Sequence, residues 1–270
     1  MNETPIVNFH VGATRIQPDL VDIALRSTSL RKHLRAVKVI STKEFQKKIR
    51  APVNAKNDLE VYGSISSAEF REFRDHLSEN ELVVASQHAM LGHPKDALKS
   101  GQILPKAERR LRRLGQVFDS MVMTLHLAIG SQLDFLTTLV GELPPSELDS
   151  VRDGRHIPSW ADLALRARKA IPDRQLVVWD FEEPRRTIIP FLSVLLGTEP
   201  ELFDAELRKK LRDASDEYVK RTRVLQRITP WPVHTVAKLD ERYEADLIQL
   251  EMIKGVRLVR SNQVAAGLEL

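Results

Sequence analysis

The chain has 270 residues, 42% hydrophobic and 29% charged, an ordinary balance for a globular protein whose core needs no covalent staples. It contains no cysteine, which excludes disulfides, thiolate metal sites and a cysteine nucleophile, and fits a reducing compartment. The formal net charge of +4 is a mild excess, suited to an anionic small ligand as well as to nucleic acid. The first five residues lack the basic and apolar segments of a signal peptide, and no apolar run approaches the roughly 20 residues of a membrane helix. A cytoplasmic protein with no membrane partner is expected.

Residues 6–11 read as a short buried strand. Gly12 opens a turn, and Pro18 begins a helix, where its fixed φ and missing N–H cost little. Leu20, Ile23, Ala24, Leu30 and Leu34 form the apolar stripe that follows. Residues 37–40 predict a second strand, 51–63 a surface loop and 82–85 a third strand. Leu111, Leu114, Val117 and Phe118 line one face of a helix, and residues 122–129 form the next strand. Ser159 is placed to cap a helix bearing Trp160, Leu163, Ala167 and Ala170, which stops near Pro172. Residues 176–179 follow as a strand, and Glu182-Glu183-Pro184 leads into another helix. Residues 204–254 are mostly helical, broken at Thr229-Pro230-Trp231-Pro232. Gly255 stops the last helix before a final strand at 256–259.

Most of these apolar runs are continuous rather than alternating, as strands buried on both faces of a parallel sheet are. The expected fold is α/β: an open, mainly parallel sheet flanked by helices. Residues 1–203 would make the α/β domain, and 204–270 a helical C-terminal extension packed on it.

The turn Gly12-Ala13-Thr14-Arg15-Ile16-Gln17-Pro18-Asp19 stands where a phosphate-binding loop follows a first strand. Further along come Leu82-Val83-Val84-Ala85-Ser86-Gln87-His88, then Gly130-Ser131-Gln132-Leu133-Asp134-Phe135-Leu136-Thr137-Thr138, then Trp160-Ala161-Asp162 with an apolar strand and acidic residues beyond it. Taken in order, these segments resemble the sulfotransferase-like branch of the P-loop fold, in particular a divergent bacterial group. The resemblance implies a donor, phosphoadenosine phosphosulfate, and three slots to serve it.

In the first slot, Gly12 and Arg15 remain as cofactor-binding candidates, with Arg15 where the family has its loop lysine. Gln17, Pro18 and Asp19 replace the second glycine and the Ser/Thr pair, which removes an N–H and brings in a carboxylate. In the second slot, Gly130 stands where the family has a phosphate-binding arginine, and Gln132 where it often has proline; Thr138 keeps a hydroxyl as a third cofactor-binding candidate. In the third, Gln87 replaces a glutamate base and cannot take a proton near neutral pH. His88 is the candidate catalytic base, with His93 and His10 as further ones.

Two other clusters draw attention. Residues 106–113 are rich in arginine, read here as an amphipathic helix with a solvated basic face. No aromatics interleave to stack bases, so nucleic acid is a minority reading. Asp180, Glu182 and Glu183 read as an acidic solvated loop rather than a metal site, since no histidine has ligand spacing to them. Three hypotheses follow: a binding or accessory module that has lost donor chemistry, an active transferase with a rewired site, or an anion- or nucleic-acid-binding protein using the 109–113 face. For the first, an anionic small molecule or a protein is the expected partner.

Overall fold

The computed structural model describes residues 4–12, 20–34, 36–87, 90–228 and 231–264. Six strands form one parallel sheet. These are β1 (Ile6–Gly12), β2 (Val37–Ile40), β3 (Leu82–Ser86), β6 (Val122–Ile129), β7 (Gln175–Asp180) and β8 (Val256–Val259), in the order β2-β3-β1-β6-β7-β8. The expected α/β architecture is therefore present, with the apolar runs at 6–11, 82–85 and 122–129 in the interior of the sheet. Phe9 lies opposite both Ala85 and Leu125, and all three are fully buried. A separate hairpin joins β4 (Leu98–Lys99) to β5 (Gln102–Ile103). Its turn residues Ser100 and Gly101 both have positive φ, which suits a tight two-residue connection.

The helices in chain order are α1 (Leu20–Arg26), α2 (Thr28–His33), α3 (Thr42–Glu44), α4 (Arg50–Asn54), α5 (Asp58–Ile65), α6 (Ala68–Ser78) and α7 (Ala107–Val117). They continue with α8 (Gln132–Thr138), α9 (Pro145–Arg152), α10 (Trp160–Ala170), α11 (Pro184–Leu196), α12 (Ala205–Ile228), α13 (Val233–Met252) and α14 (Ser261–Val264). The span 51–63 is not a loop: it carries the end of α4 and most of α5. Asn57 accepts from Glu60 N at 2.9 Å and caps α5, while Val53 and Val61 are buried. Burial of those two valines overrides the turn-forming composition around them. Ser159 caps α10 as expected, accepting from Asp162 N at 3.1 Å.

The sheet has two unlike faces. Val7, Phe9 and Val11 point to one side, where Phe9 meets Phe45 and Phe118. Asn8 and His10 point to the other, toward α11. Asn8 Nδ2 donates to Val194 O and Leu195 O, both at 3.0 Å, in the last turn of α11, where Val194 O also accepts from Gly197 N. Gly197, at φ +59°, closes that helix in the left-handed conformation. The C-terminal region is mainly helical, and it also completes the sheet through β8, whose Leu258 pairs with Val178.

Candidate functional site at the carboxyl edge of the sheet

The chain leaves β1 toward β2 and β3 on one side, and leaves β6 toward β7 and β8 on the other. The crevice outside the carboxyl ends of β1 and β6 is therefore the topological switch point, where open α/β sheets hold ligands. Gly12, which ends β1, is buried there. Arg15, with the whole turn 13–19, and His88 lie outside the described residues.

The residues that the resemblance assigns to the second slot are described, and their polar groups are committed inside the protein. Gly130 is buried, and its carbonyl accepts from Trp160 Nε1 at 2.7 Å. Gln132 Nε2 donates to Asp246 Oδ2 at 2.8 Å. Thr138 is buried and its hydroxyl donates to Phe135 O at 2.8 Å, turned back into its own helix. Ser131 caps α8 by accepting from Leu133 N at 3.2 Å.

The other histidine candidates are dispersed. His10 is buried under α11, with Nδ1 2.9 Å from Ser86 Oγ and its ring edge-on to Phe191 at 4.8 Å. His93 is exposed before a short 3-10 turn. Gln87 N donates to His10 O at 3.0 Å, which extends the β1–β3 ladder by one bond.

Two buried aspartates organise this edge; Asp246 carried no sequence signal, and Asp180 stood out only as part of an acidic cluster. Asp246, in the middle of α13, is fully buried. It accepts from Trp160 N at 2.6 Å, Ser159 Oγ at 2.7 Å and Gln132 Nε2 at 2.8 Å, and pairs with Arg242 at 2.9 Å. Burial pushes its carboxyl above the ordinary aspartate value, opposed by Ser159, the Trp160 N–H and Arg242. Asp180 corrects the reading of a wholly solvated acidic loop: Glu182 and Glu183 are exposed, but Asp180 is buried. Asp180 accepts from Tyr243 Oη at 2.6 Å, from Glu182 N at 2.8 Å and from Ser261 Oγ at 3.1 Å. Asp180 thus ties β7 to α13 and α14. Burial beside Asp180 raises the Tyr243 phenol, so it stays a donor.

Helix α12 starts next to α2, where Ser29 Oγ donates to Asp204 Oδ2 at 2.5 Å. Its second half passes the starts of α11 and α8. Arg185 grips Asp216 through Nε and Nη2 at 2.5 and 2.6 Å, and Gln226 donates to Asp134 at 2.6 Å. Between this half of α12 and the β7–α11 turn lies a cleft of ≈ 690 Å³. Glu182 and Glu183 line one wall, and Lys220, Arg223 and Arg227 the other. Ser215 lines it and is buried, and among the described residues its hydroxyl has no hydrogen-bond partner. Burial and the neighbouring Asp180, Glu244 and Glu183 raise the Glu182 carboxyl. Burial also raises Asp134, with Arg223 opposing. Among the described residues, no three His, Asp or Glu side chains are arranged to hold a metal ion.

No protein-family model, no curated protein and no solved structure matches this chain. No described helix is long and apolar enough to cross a membrane.

Proposed function

We propose that this chain is a sulfotransferase-like protein that has given up donor chemistry and works as a non-catalytic binding or accessory module. One observation carries the reading. The groups in the second phosphate slot are spent on internal structure: the Gly130 carbonyl on Trp160, Gln132 on Asp246 and the Thr138 hydroxyl on Phe135. A 3′-phosphate would find neither the cation nor the hydroxyl it needs. The substitutions at Gln17, Pro18 and Asp19 point the same way, since an anion at that helix start would meet a carboxylate. The mixed-charge cleft along α12 gives such a module a surface for an anionic small molecule or a protein segment.

The test is thermal stability with phosphoadenosine bisphosphate. A ligand at a hundred times its dissociation constant stabilises the folded state by about 2.7 kcal/mol. We expect no stabilisation at millimolar nucleotide. A clear calorimetric signal at micromolar nucleotide, abolished by Arg15→Ala, would overturn this reading. It would favour the alternative of an active sulfotransferase with Arg15 on the donor and His88 as base.

A further inference from the structure

Beyond the carboxyl end of β3, away from the α12 cleft, lies a second and smaller cleft of ≈ 140 Å³. Its buried floor is apolar: Phe45, Val53 and Met90. Arg50 and Arg110 line it, with Gln87 and His93. Arg110 belongs to the basic segment 106–113, and here the sequence reading needs correction. Only part of that segment is a solvated face. Arg113 is buried and donates to Ala55 O, and Arg110 is half-buried and donates from Nη1 to Met90 O at 2.9 Å. These two arginines, three residues apart, share the side of α7 next to its leucine stripe.

The unspent hydrogen-bonding capacity of Arg110 is specific. Among the described residues its buried Nε has no partner, and Nη2 makes no hydrogen bond. That Nε/Nη2 edge is the same fork with which Arg185 grips both oxygens of Asp216 elsewhere in this protein. No carboxylate answers it here. Asp96, the acidic group that acts on Arg110, is already held by Lys106 at 2.9 Å. Among the described residues Arg50 makes no ion pair or side-chain hydrogen bond, and Arg109 adds a third positive charge nearby. Burial and the like charges of Arg109 and Arg50 lower the Arg110 guanidinium below its ordinary range, so the grouping disfavours its own charge. An oxyanion would reverse that.

The backbone underneath is also unusual. Residues Phe45–Ile49 form a π-turn, in which Arg50 N–H bonds Phe45 O five residues back. Such turns are rare and recur at functional sites. This one links the aromatic floor of the cleft to one of its two cations.

We propose that this cleft binds a small organic oxyanion. The Arg110 fork and Arg50 hold the anionic head, and a compact apolar body rests on Phe45, Val53 and Met90. The volume suits one ring or a short branched chain and is too small for a nucleotide. The inference does not rest on the sulfotransferase resemblance, because it uses neither the turn after β1 nor the second phosphate slot.

Isothermal titration with phenyl phosphate, phenyl sulfate and benzoate tests it, with benzyl alcohol and inorganic phosphate as partial mimics. We expect at least one of the three aromatic anions to bind, and its preference over the other two to name the head group. Benzyl alcohol and inorganic phosphate should each bind at least tenfold more weakly. Arg50→Ala alters an exposed side chain, and we expect it to weaken binding several-fold. Arg110→Lys keeps the charge but loses the fork, and we expect at least a tenfold loss. The inference fails if none of the aromatic anions binds. It also fails if inorganic phosphate binds as well as phenyl phosphate, or if Arg50→Ala leaves the affinity unchanged. The nucleotide test turns on Arg15 and this one on Arg50 and Arg110, so the two readings stand or fall separately.

Discussion

His126 should make this protein acid-sensitive through a single side chain. It sits in β6, 1% exposed, beside Trp179. Trp179 Nε1 donates to His126 Nδ1 at 3.1 Å. An indole N–H can only donate, so Nδ1 carries no proton and the ring is neutral, with its proton on Nε2. Nε2 is buried without a partner, so no neighbour there favours an added charge. Burial lowers the His126 pKa from 6.5 to about 3. The unfolded chain therefore binds a proton that the folded chain refuses between those values. This contribution to stability is fully present above pH 6.5 and is lost as pH falls toward 3. The slope is about 1.4 kcal/mol per pH unit, so going from pH 7 to pH 5 costs about 2 kcal/mol. That is a sizeable part of the 5–15 kcal/mol that typically holds a domain folded. Urea unfolding of the natural protein and of His126→Gln, each at pH 7 and pH 5, isolates the effect. Glutamine can still accept from Trp179 and cannot be protonated, while the other titrating groups cancel in the comparison. The natural protein should lose about 2 kcal/mol more than the variant. Equal losses would refute the reasoning.

Three other outcomes follow from the packing. Asp246→Ala should cost about 3–5 kcal/mol in denaturant titration, because Arg242 and the Trp160 N–H lose their buried acceptor. Val84→Asp should cost more than about 4 kcal/mol, since it places a carboxylate at a fully buried position in β3; an unchanged melting temperature would mean that β3 is not interior. Gly197→Ala should destabilise by at least about 1 kcal/mol in the same assay, as its φ is +59° and a Cβ there would stand 2.8 Å from Leu82 Cδ2.

The large elements were legible because one physical pattern wrote them. Strands covered on both faces are apolar at successive positions, as 82–85 and 176–179 are, and 6–11 and 122–129 depart from this only at Asn8, His10, Thr124 and His126. Ser159 marked a helix start through its capping hydroxyl, and Pro184 and Gly255 marked helix ends through their backbone. Short elements were not legible. The β4–β5 hairpin has two residues on each side, too few for a period. In α4 and α5, Pro52, Asn54 and Asn57 look like turn residues, and only long-range burial of Val53 and Val61 shows otherwise.

The site was less legible than the fold. The degeneracy at Gly130 and Thr138 could be read as a missing contact, but the partner of Gly130 is 30 residues away and that of Thr138 lies within one helix turn. Arg110 and Arg113 looked solvated because charge usually is. Their inward turn depends on the carbonyls of Met90 and Ala55, distant in sequence. Asp246 gave no signal, because an aspartate inside a long helix ordinarily faces water.

The strand order has a consequence for how the protein is made. Of the six strands of this sheet β1 leaves the ribosome first, and it is flanked in the finished sheet by β3 and β6. One neighbour begins at Leu82 and the other at Val122, about 110 residues after β1 ends. At roughly 5–20 residues per second, β1 waits on the order of 5–20 s for its second partner. Until then the side of β1 that faces β6 has a row of backbone amides with nothing to pair with, and Phe9 lacks Phe118, which is made only four residues before β6, as a packing partner. The interval during synthesis, rather than the finished fold, is when this chain is most exposed to aggregation and most in need of a chaperone.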